Sequence, residues 1–424
     1  MGSGYAATVL LRFSLYGFLK NQRYFEPFLV LAFLEKGLTF FEIGALIALR
    51  ELATNILEIP SGAAADLWGR RRALMLSFSA YVVSFLVFGF AGSAVMFIPA
   101  MLLFSVGEAF RTGTHKAMIF AWLKEEGRTD EKTAVYGYTR SWSKLGSAAS
   151  VVIGAGCVFW LETYSVVFLL ASIPSALNIV NFLGYPASLD GERQGAASPR
   201  AVLTHTRDAV RDGLSRAPLR RLMLETMGFE GLFRASKDYL QPLLAVVAIS
   251  ALGPLAGGDL TDIQRTTLLI GPVYFALHLA SSVASRRAHR VVSAAGSEEA
   301  AARRIWLVSG GLFSILALSQ AIGFPAASVV VFVLLHVLQN VWRPILISRF
   351  DTHGSDRHAA TTLSIESQAQ RLAAVVIAPA LGLLIDATTG PGGADWSGGP
   401  LWPIGVLGML IAAAALRRRD TSEA

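Results

Sequence analysis

What most constrains this chain is the recurrence of apolar stretches long enough to cross a bilayer. About twelve of them, each near the ~20 residues that a spanning helix needs, lie at roughly 12–35, 42–61, 73–91, 95–122, 134–161, 163–185, 221–248, 263–284, 304–322, 325–348, 359–386 and 401–416. The third, sixth, ninth and twelfth hold no ionisable side chain in their interiors. The first, second, fourth, fifth, seventh, tenth and eleventh carry Lys, Arg, Asp or Glu near their middles. A charge at mid-bilayer costs roughly 2.5–3.5 kcal/mol on insertion scales, so such residues face a protein interior or a wet cavity. Charge accepted in this rhythm predicts a polar pathway ringed by lipid-facing helices, the architecture of a transporter.

Composition supports a polytopic membrane protein over a soluble globule with an anchor. Hydrophobic residues make up 53% of 424 positions and charged residues 16%, against about 25% charged in soluble domains. A soluble helical solenoid is excluded by runs such as 76–90, which have no charged face. The one cysteine, Cys157, allows no internal disulfide. Only Met1–Leu11 precedes the first stretch, without a cleavage pattern, so the first helix is expected to persist in the mature protein.

The net charge of +7 does not point to nucleic acid, because most of the 37 Lys and Arg residues cluster in alternate connections and the C-terminal tail. Examples are Arg70–Arg72, the 187–220 connection and Arg417–Arg419, whereas the opposite set of connections holds only Lys36. The positive-inside rule then predicts an inner-membrane protein with both termini and the long connection in the cytoplasm.

That connection divides the chain into expected domains at 1–186 and 221–424, each of six spans, joined by a cytoplasmic linker at 187–220 that turns amphipathic from Ala201 to Arg216. The halves look related. Tyr24–Leu29 (YFEPFL) matches Tyr239–Leu244 (YLQPLL) at an offset of 215. Gly62, Asp66 and Arg71 fall opposite Ser281, Ser285 and Arg290 at 219, and Val151–Ile153 with Glu162 fall opposite Val375–Ile377 with Asp386 at 224. Repeated six-helix halves usually bind substrate between them near the midplane.

The connection after the second stretch reads GAAADLWGRRR from Gly62 to Arg72. Gly62 is expected to let a neighbouring helix approach closely. Asp66 caps or pairs at a helix end, Gly69 permits a tight reversal, and Arg70, Arg71 and Arg72 anchor at the headgroups, where Glu125 or Glu126 is in reach as a partner. With its order of Gly62, Asp66, Gly69, Arg70 and Arg71, and Glu58-Ile59-Pro60-Ser61 ahead of it, the chain resembles bacterial members of the major facilitator superfamily. The resemblance implies twelve transmembrane helices in two pseudo-symmetric six-helix bundles, rocker-switch alternating access, and a cytoplasmic latch at this loop. Leu67 departs from the basic residue that members often carry. The fifth stretch has Gly154 and Gly156 but lacks the Gly-Pro pair of antiporting members.

The charges inside the stretches carry the functional expectation. Tyr16, Lys20, Arg23 and Pro27 fall on one face of a continuous first helix, with Glu26 able to pair with Arg23. The seventh offers Glu230, Arg234, Lys237 and Gln241, with Asp238 able to pair with Arg234. The fourth has Glu108, Arg111, His115 and Lys116, the fifth Arg140 and Lys144, the tenth His336, Asn340 and Arg343, and the eleventh Glu366, Gln370 and Arg371. The bases number eleven (Lys20, Arg23, Arg50, Arg111, Lys116, Arg140, Lys144, Arg234, Lys237, Arg343, Arg371). The acids number eight (Glu26, Glu51, Glu58, Glu108, Glu225, Glu230, Asp238, Glu366). An uncompensated buried cation is expensive, so the surplus of three predicts an anionic or zwitterionic solute, whose carboxylate or phosphate Arg grips well.

The expected substrate residues are Lys20, Arg23, Arg111, Arg140, Lys144, Arg234, Lys237 and Arg343, in a cavity lined by spans one, two, four, five, seven, eight, ten and eleven. Glu26, Glu51, Glu108, Glu230, Asp238 and Glu366 are the candidates for proton coupling. No P-loop, metal-ligand spacing or catalytic order is present in the sequence, so no cofactor, metal or enzymatic activity is expected, and the chain is read as a monomer. The alternatives are a drug/proton antiporter of the same superfamily and a membrane receptor that has lost transport. The basic surplus argues against the first and the latch residues against the second.

Overall fold

The first expected span is not one helix. In the computed structural model, α1 (Ser3–Lys20) ends before a break at 21–28, and the chain resumes as α2 (Leu29–Glu35). The break is a run of tight turns: the Asn21, Gln22, Glu26 and Phe28 amides each donate to the carbonyl three residues back. Pro27, which has no amide proton and clashes with a preceding helical turn, sits inside it. The seventh expected span breaks in the corresponding place. There α9 (Ala217–Ser236) passes through a single 3-10 turn, Lys237–Tyr239, into α10 (Leu240–Leu252). The sequence match of Tyr24–Leu29 with Tyr239–Leu244 is thus a match between two helix interruptions. Membrane helices tolerate these where other groups satisfy the freed backbone.

The structure describes residues 3–112, 114–190, 217–252, 260–353, 359–389 and 401–423; the amphipathic segment expected at 201–216 lies outside them. The chain forms two compact units, Met1–Ala32 with Leu52–Val202, and Phe33–Glu51 with Leu203–Ala424. The helix α3 (Phe40–Trp68) belongs to the second unit up to Glu51 and to the first from Leu52.

Among the described residues, eight helical stretches are long and apolar enough to cross a membrane: Arg70–Phe90, Ala94–Glu125, Thr129–Leu161, Val166–Leu183, Asp262–Ala295, Glu298–Ala321, Pro325–Phe350 and Glu366–Thr388. Trp402–Arg417 is a shorter apolar helix. The first and seventh expected spans are not among them because each is broken. The second, α3, runs unbroken for 29 residues but carries Arg50, Glu51 and Glu58 in its middle. The chain is a multi-pass, all-helical membrane protein.

In the first unit, α4 (Arg70–Phe90), α5 (Phe97–Arg111), α6 (Thr114–Glu125), α7 (Lys132–Leu161) and α8 (Val166–Leu183) join α1. Lipid offers no hydrophobic drive for apolar helices to associate, so close approach and small polar donors hold them together. Ser77 and Ser84 of α4 donate to the Gly107 and Ala100 carbonyls of α5 at 2.6 and 2.7 Å. Arg12 of α1 donates to the Asn181 carbonyl, and the Asn181 amide returns the bond to the Arg12 carbonyl. Gly146 is where α7 meets α1: a Cβ there would sit 2.4 Å from the Phe18 carbonyl oxygen.

The second unit contains α9, α10, α11 (Asp262–Ala295), α12 (Glu298–Ala321), α13 (Pro325–His353), α14 (Ala359–Thr389) and α15 (Trp402–Glu423), with α9 packed on α14 and α12 on α15. One of its cores brings together Phe229, Trp306, Trp342 and Phe350. The start of α3 is capped twice. Thr39 and Glu42 form a reciprocal capping box, and the Asp386 carboxylate of α14 accepts from the Phe40 and Phe41 amides at 3.1 and 2.7 Å.

Candidate substrate site

The break after α1 positions the first charged cluster. Lys20 is the last residue of α1, while Gln22, Arg23 and Phe25 lie in the break, so the expected single stripe through Pro27 does not form. Arg23 does not take Glu26 as its ion-pair partner; its Nη2 reaches Glu108 Oε1 on α5 at 3.3 Å. Arg111, one turn along α5, donates to Glu108 Oε2 at 2.7 Å. The Tyr81 hydroxyl of α4 links the two, donating to Glu108 Oε1 and accepting from Arg111 Nε at 3.1 Å. Lys20 is joined to no carboxylate among the described residues, and its ammonium lies 5.8 Å from the Tyr16 ring centroid.

These side chains line an opening in the first unit. Its walls are Leu19, Lys20, Gln22, Arg23 and Phe25 from the end of α1 and the break, Phe78, Tyr81 and Phe85 from α4, Phe104, Glu108 and Arg111 from α5, and Ser175 from α8. One carboxylate, Glu108, faces one lysine and two arginines there. The third and sixth expected spans, α4 and α8, were assigned to the lipid because they carry no charge, yet both line the opening. Sequence reasoning missed Tyr81 for the same reason. Its signal was a hydroxyl at helical spacing from Phe78 and Phe85, on one face of an otherwise apolar helix.

Other expected residues stand elsewhere. Arg140 and Lys144 are exposed on α7 and line no part of the opening. Lys116 is exposed, its ammonium 5.5 Å from the ring centroids of Phe120 and Tyr136. His115 is buried, stacked on Tyr16 at 3.7 Å and within 3.0 Å of the Tyr185 hydroxyl, a packing role. The helix also breaks between Arg111 and His115, so the fourth span presents no continuous charged face.

The second unit holds its own cluster. Glu51, only 2% exposed, accepts from three guanidinium groups: Arg50 at 2.9 Å, Arg234 at 3.3 Å and Arg371 at 3.5 Å. Arg234 continues to Gln370 Oε1, and the Gln370 amide donates to Glu366. Glu366 is held bidentately by Arg343, with Nη2 at 3.1 Å. Here too one acid, Glu51, meets three bases, while Arg343 is spent on Glu366. Asp238 pairs with Lys237 at 2.8 Å rather than with Arg234, because the 3-10 turn takes Asp238 off the α9 face. Glu230 differs from the rest: 5% exposed, it accepts only from the Gln339 amide at 3.1 Å and makes no ion pair among the described residues. Glu26 lies half-buried in the first break.

The latch residues also differ from expectation. Gly62 is exposed, and a Cβ there would meet nothing within 4 Å, so no helix approaches it. The Asp66 side chain lies outside the described residues. Gly69 has φ 96, the left-handed region that favours glycine, and reverses the chain into α4. Arg71 finds neither Glu125 nor Glu126. Its amide donates to the Asp190 carboxylate at 2.8 Å and its guanidinium to the Tyr185 carbonyl. Asp190 is thus a long-range cap on Arg70-Arg71, unforeseen because it lies 119 residues away.

A family model described as Major Facilitator Superfamily matches residues 9–378. The chain belongs to that superfamily. An uncharacterized MFS-type transporter, YxaM of Bacillus subtilis (strain 168), is 31% identical over 90 residues, 21% of this chain and only 23% of that relative's length. The nucleoside transporter NupG has the same fold at a TM-score of 0.74 and 12% identity, over 96% of this chain and 98% of that one. A POT family transporter in complex with 5-aminolevulinic acid gives 0.68 and 14%, over 96% and 95%. A bacterial homolog of the human lysosomal transporter Spinster gives 0.67 and 13%, over 99% and 98%. At such identities the likeness is one of fold. The superfamily member described here is a multi-pass membrane transporter.

Proposed function

We propose that this transporter carries a small anionic or zwitterionic solute across the inner membrane by alternating access, with both termini cytoplasmic and the chain acting as a monomer. The observation that carries the reading is the opening in the first unit, where Lys20, Arg23 and Arg111 face a single carboxylate, Glu108. Burying cations without counter-charge is costly, and an anion in the opening removes that cost. Arg111 is committed to Glu108 and Tyr81, so Lys20 and Arg23 are the groups left to receive it. In the second unit Arg50, Arg234 and Arg371 likewise converge on Glu51.

Protons couple the movement through Glu230. A buried carboxylate with no ion-pair partner among the described residues is the one whose charge depends most on its surroundings. Glu51, Glu108, Asp238 and Glu366 are each already held by a base. Counterflow in proteoliposomes tests the reading. Exchange is expected for a carboxylate or phosphate solute and should be lost in Arg23→Ala and Arg234→Ala, with both variants still folded in the membrane. Full exchange in both variants overturns the anion site.

A further inference from the structure

Four cations that line no part of the opening stand in a row beside it. Lys116 on α6 and Lys132, Arg140 and Lys144 on α7 are exposed, and none is joined to a carboxylate among the described residues. Glu131, next to Lys132 in sequence, is held by Arg128 at 2.6 Å. Lys132, Tyr136, Arg140 and Lys144 recur at every fourth residue, which sets them in one slowly turning strip along α7. Lys116 joins the strip from the neighbouring helix. Its ammonium lies 5.5 Å from the Tyr136 ring centroid, and the Lys116 and Lys132 ammonium groups lie 5.5 and 5.8 Å from the Phe120 centroid.

The helix α7 presents three different faces. Val135, Thr139, Gly146 and Ser150 form the buried one. Tyr138, Leu145 and Val152, seven residues apart, form an exposed apolar strip. At 3.6 residues per turn the basic strip lies roughly 140° around the helix from that apolar strip, so the two exposed faces meet different surroundings. Lipid suits Tyr138, Leu145 and Val152. Lys144, near the middle of the Thr129–Leu161 span, is too deep for a headgroup and costly in hydrocarbon. The basic strip is therefore a water-facing surface, and it reaches the opening. A Cβ on Gly17, one turn before Lys20, would meet the Ser143 hydroxyl at 2.8 Å and the Thr139 carbonyl oxygen at 2.9 Å. Gln22 in the break donates to the Gly146 carbonyl at 3.2 Å. Arg140 and Lys144 flank this contact between α1 and α7, and Arg140 is among the charges that act on Lys20.

We propose that Lys132, Lys116, Arg140 and Lys144 form a basic ladder, a wet approach along which an anion travels from the α6–α7 connection to Lys20 and Arg23. This rests on the anionic-solute reading above and gives that solute a route. Spaced cations on an open surface raise the local concentration of anions without gripping any one of them, so the ladder governs arrival more than affinity.

Thiol labelling of the full-length chain in proteoliposomes, on a Cys157→Ser background, tests this with small charged reagents in place of the solute. Arg140→Cys and Lys144→Cys should each react about 3- to 10-fold faster with a sulfonate-bearing methanethiosulfonate than with its trimethylammonium counterpart. Leu145→Cys and Val152→Cys, on the apolar strip, should react at least about 10-fold more slowly with either reagent. Adding Lys116→Gln and Lys132→Gln to Arg140→Cys should bring its two rates together, and so should salt at about 1 M. Lys144→Cys as unreactive as Leu145→Cys would put the strip in lipid and overturn the ladder. Equal rates with the two reagents at Arg140→Cys and Lys144→Cys would overturn it as well. In either case Lys20→Cys decides the underlying reading: a retained preference for the sulfonate reagent there leaves the anionic solute standing, and a preference for the cationic reagent overturns both.

Discussion

Replacing Arg349 with Ala should be among the most destabilising changes in the chain. Arg349 is only 1% exposed at the end of α13. Its guanidinium reaches two acids on two other helices. Nη1 donates to Glu225 on α9 at 2.8 Å, and Nε and Nη2 donate to Glu299 on α12 at 2.7 and 3.0 Å. Without it, Glu225, itself 4% exposed, keeps Arg221 at 3.1 Å and Trp306 Nε1 at 3.5 Å. Breaking a buried pair from one side costs about 3–5 kcal/mol, the scale expected for Arg349→Ala. The double variant Arg349→Met, Glu225→Met removes both buried charges and leaves the Arg221–Glu299 pair, 3.3 Å apart, in balance, so its cost should fall to within about 1 kcal/mol of the parent protein. Unfolding of the parent, Arg349→Met, Glu225→Met and the double variant in mixed micelles gives the coupling directly. A single Arg349→Ala variant as stable as the parent would refute the reasoning.

Three further outcomes are expected. Gly146→Leu should abolish accumulation of folded protein, since its Cβ would meet the Phe18 carbonyl oxygen at 2.4 Å in the α1–α7 contact; size-exclusion profiles of the expressed variant check it. Asp190→Ala should cost about 1 kcal/mol by leaving the Arg71 amide uncapped, read as a lowered unfolding midpoint. Glu230→Gln, which fixes the uncharged form, should remove proton-driven accumulation while leaving counterflow, and retained pH-driven uptake in that variant would move the coupling site elsewhere.

The fold class was legible because a bilayer demands long apolar helices. What sequence could not give was where the helices stop. The Lys20–Arg23–Pro27 stripe assumed an unbroken helix, but the turns at 21–28 swing Arg23 toward Glu108 instead of Glu26. Charge counting named the residues of both clusters but not their pairings. It also sent Tyr81 and Ser175 to the lipid, since a pocket wall made of rings and hydroxyls has no charge to betray it. The partners of Gly69 and Arg71 were equally hidden, because Asp190 reaches them only through the folding of the first unit.

The central claim is that Lys20 and its neighbours face an aqueous, anion-attracting opening, and charge-selective thiol labelling tests it most directly. Lys20→Cys on a Cys157→Ser background should react with a sulfonate-bearing methanethiosulfonate several-fold faster than with its trimethylammonium counterpart, because Arg23 and Arg111 remain beside it. Equal rates, a preference for the cationic reagent, or no reaction from either side of the membrane would contradict the account.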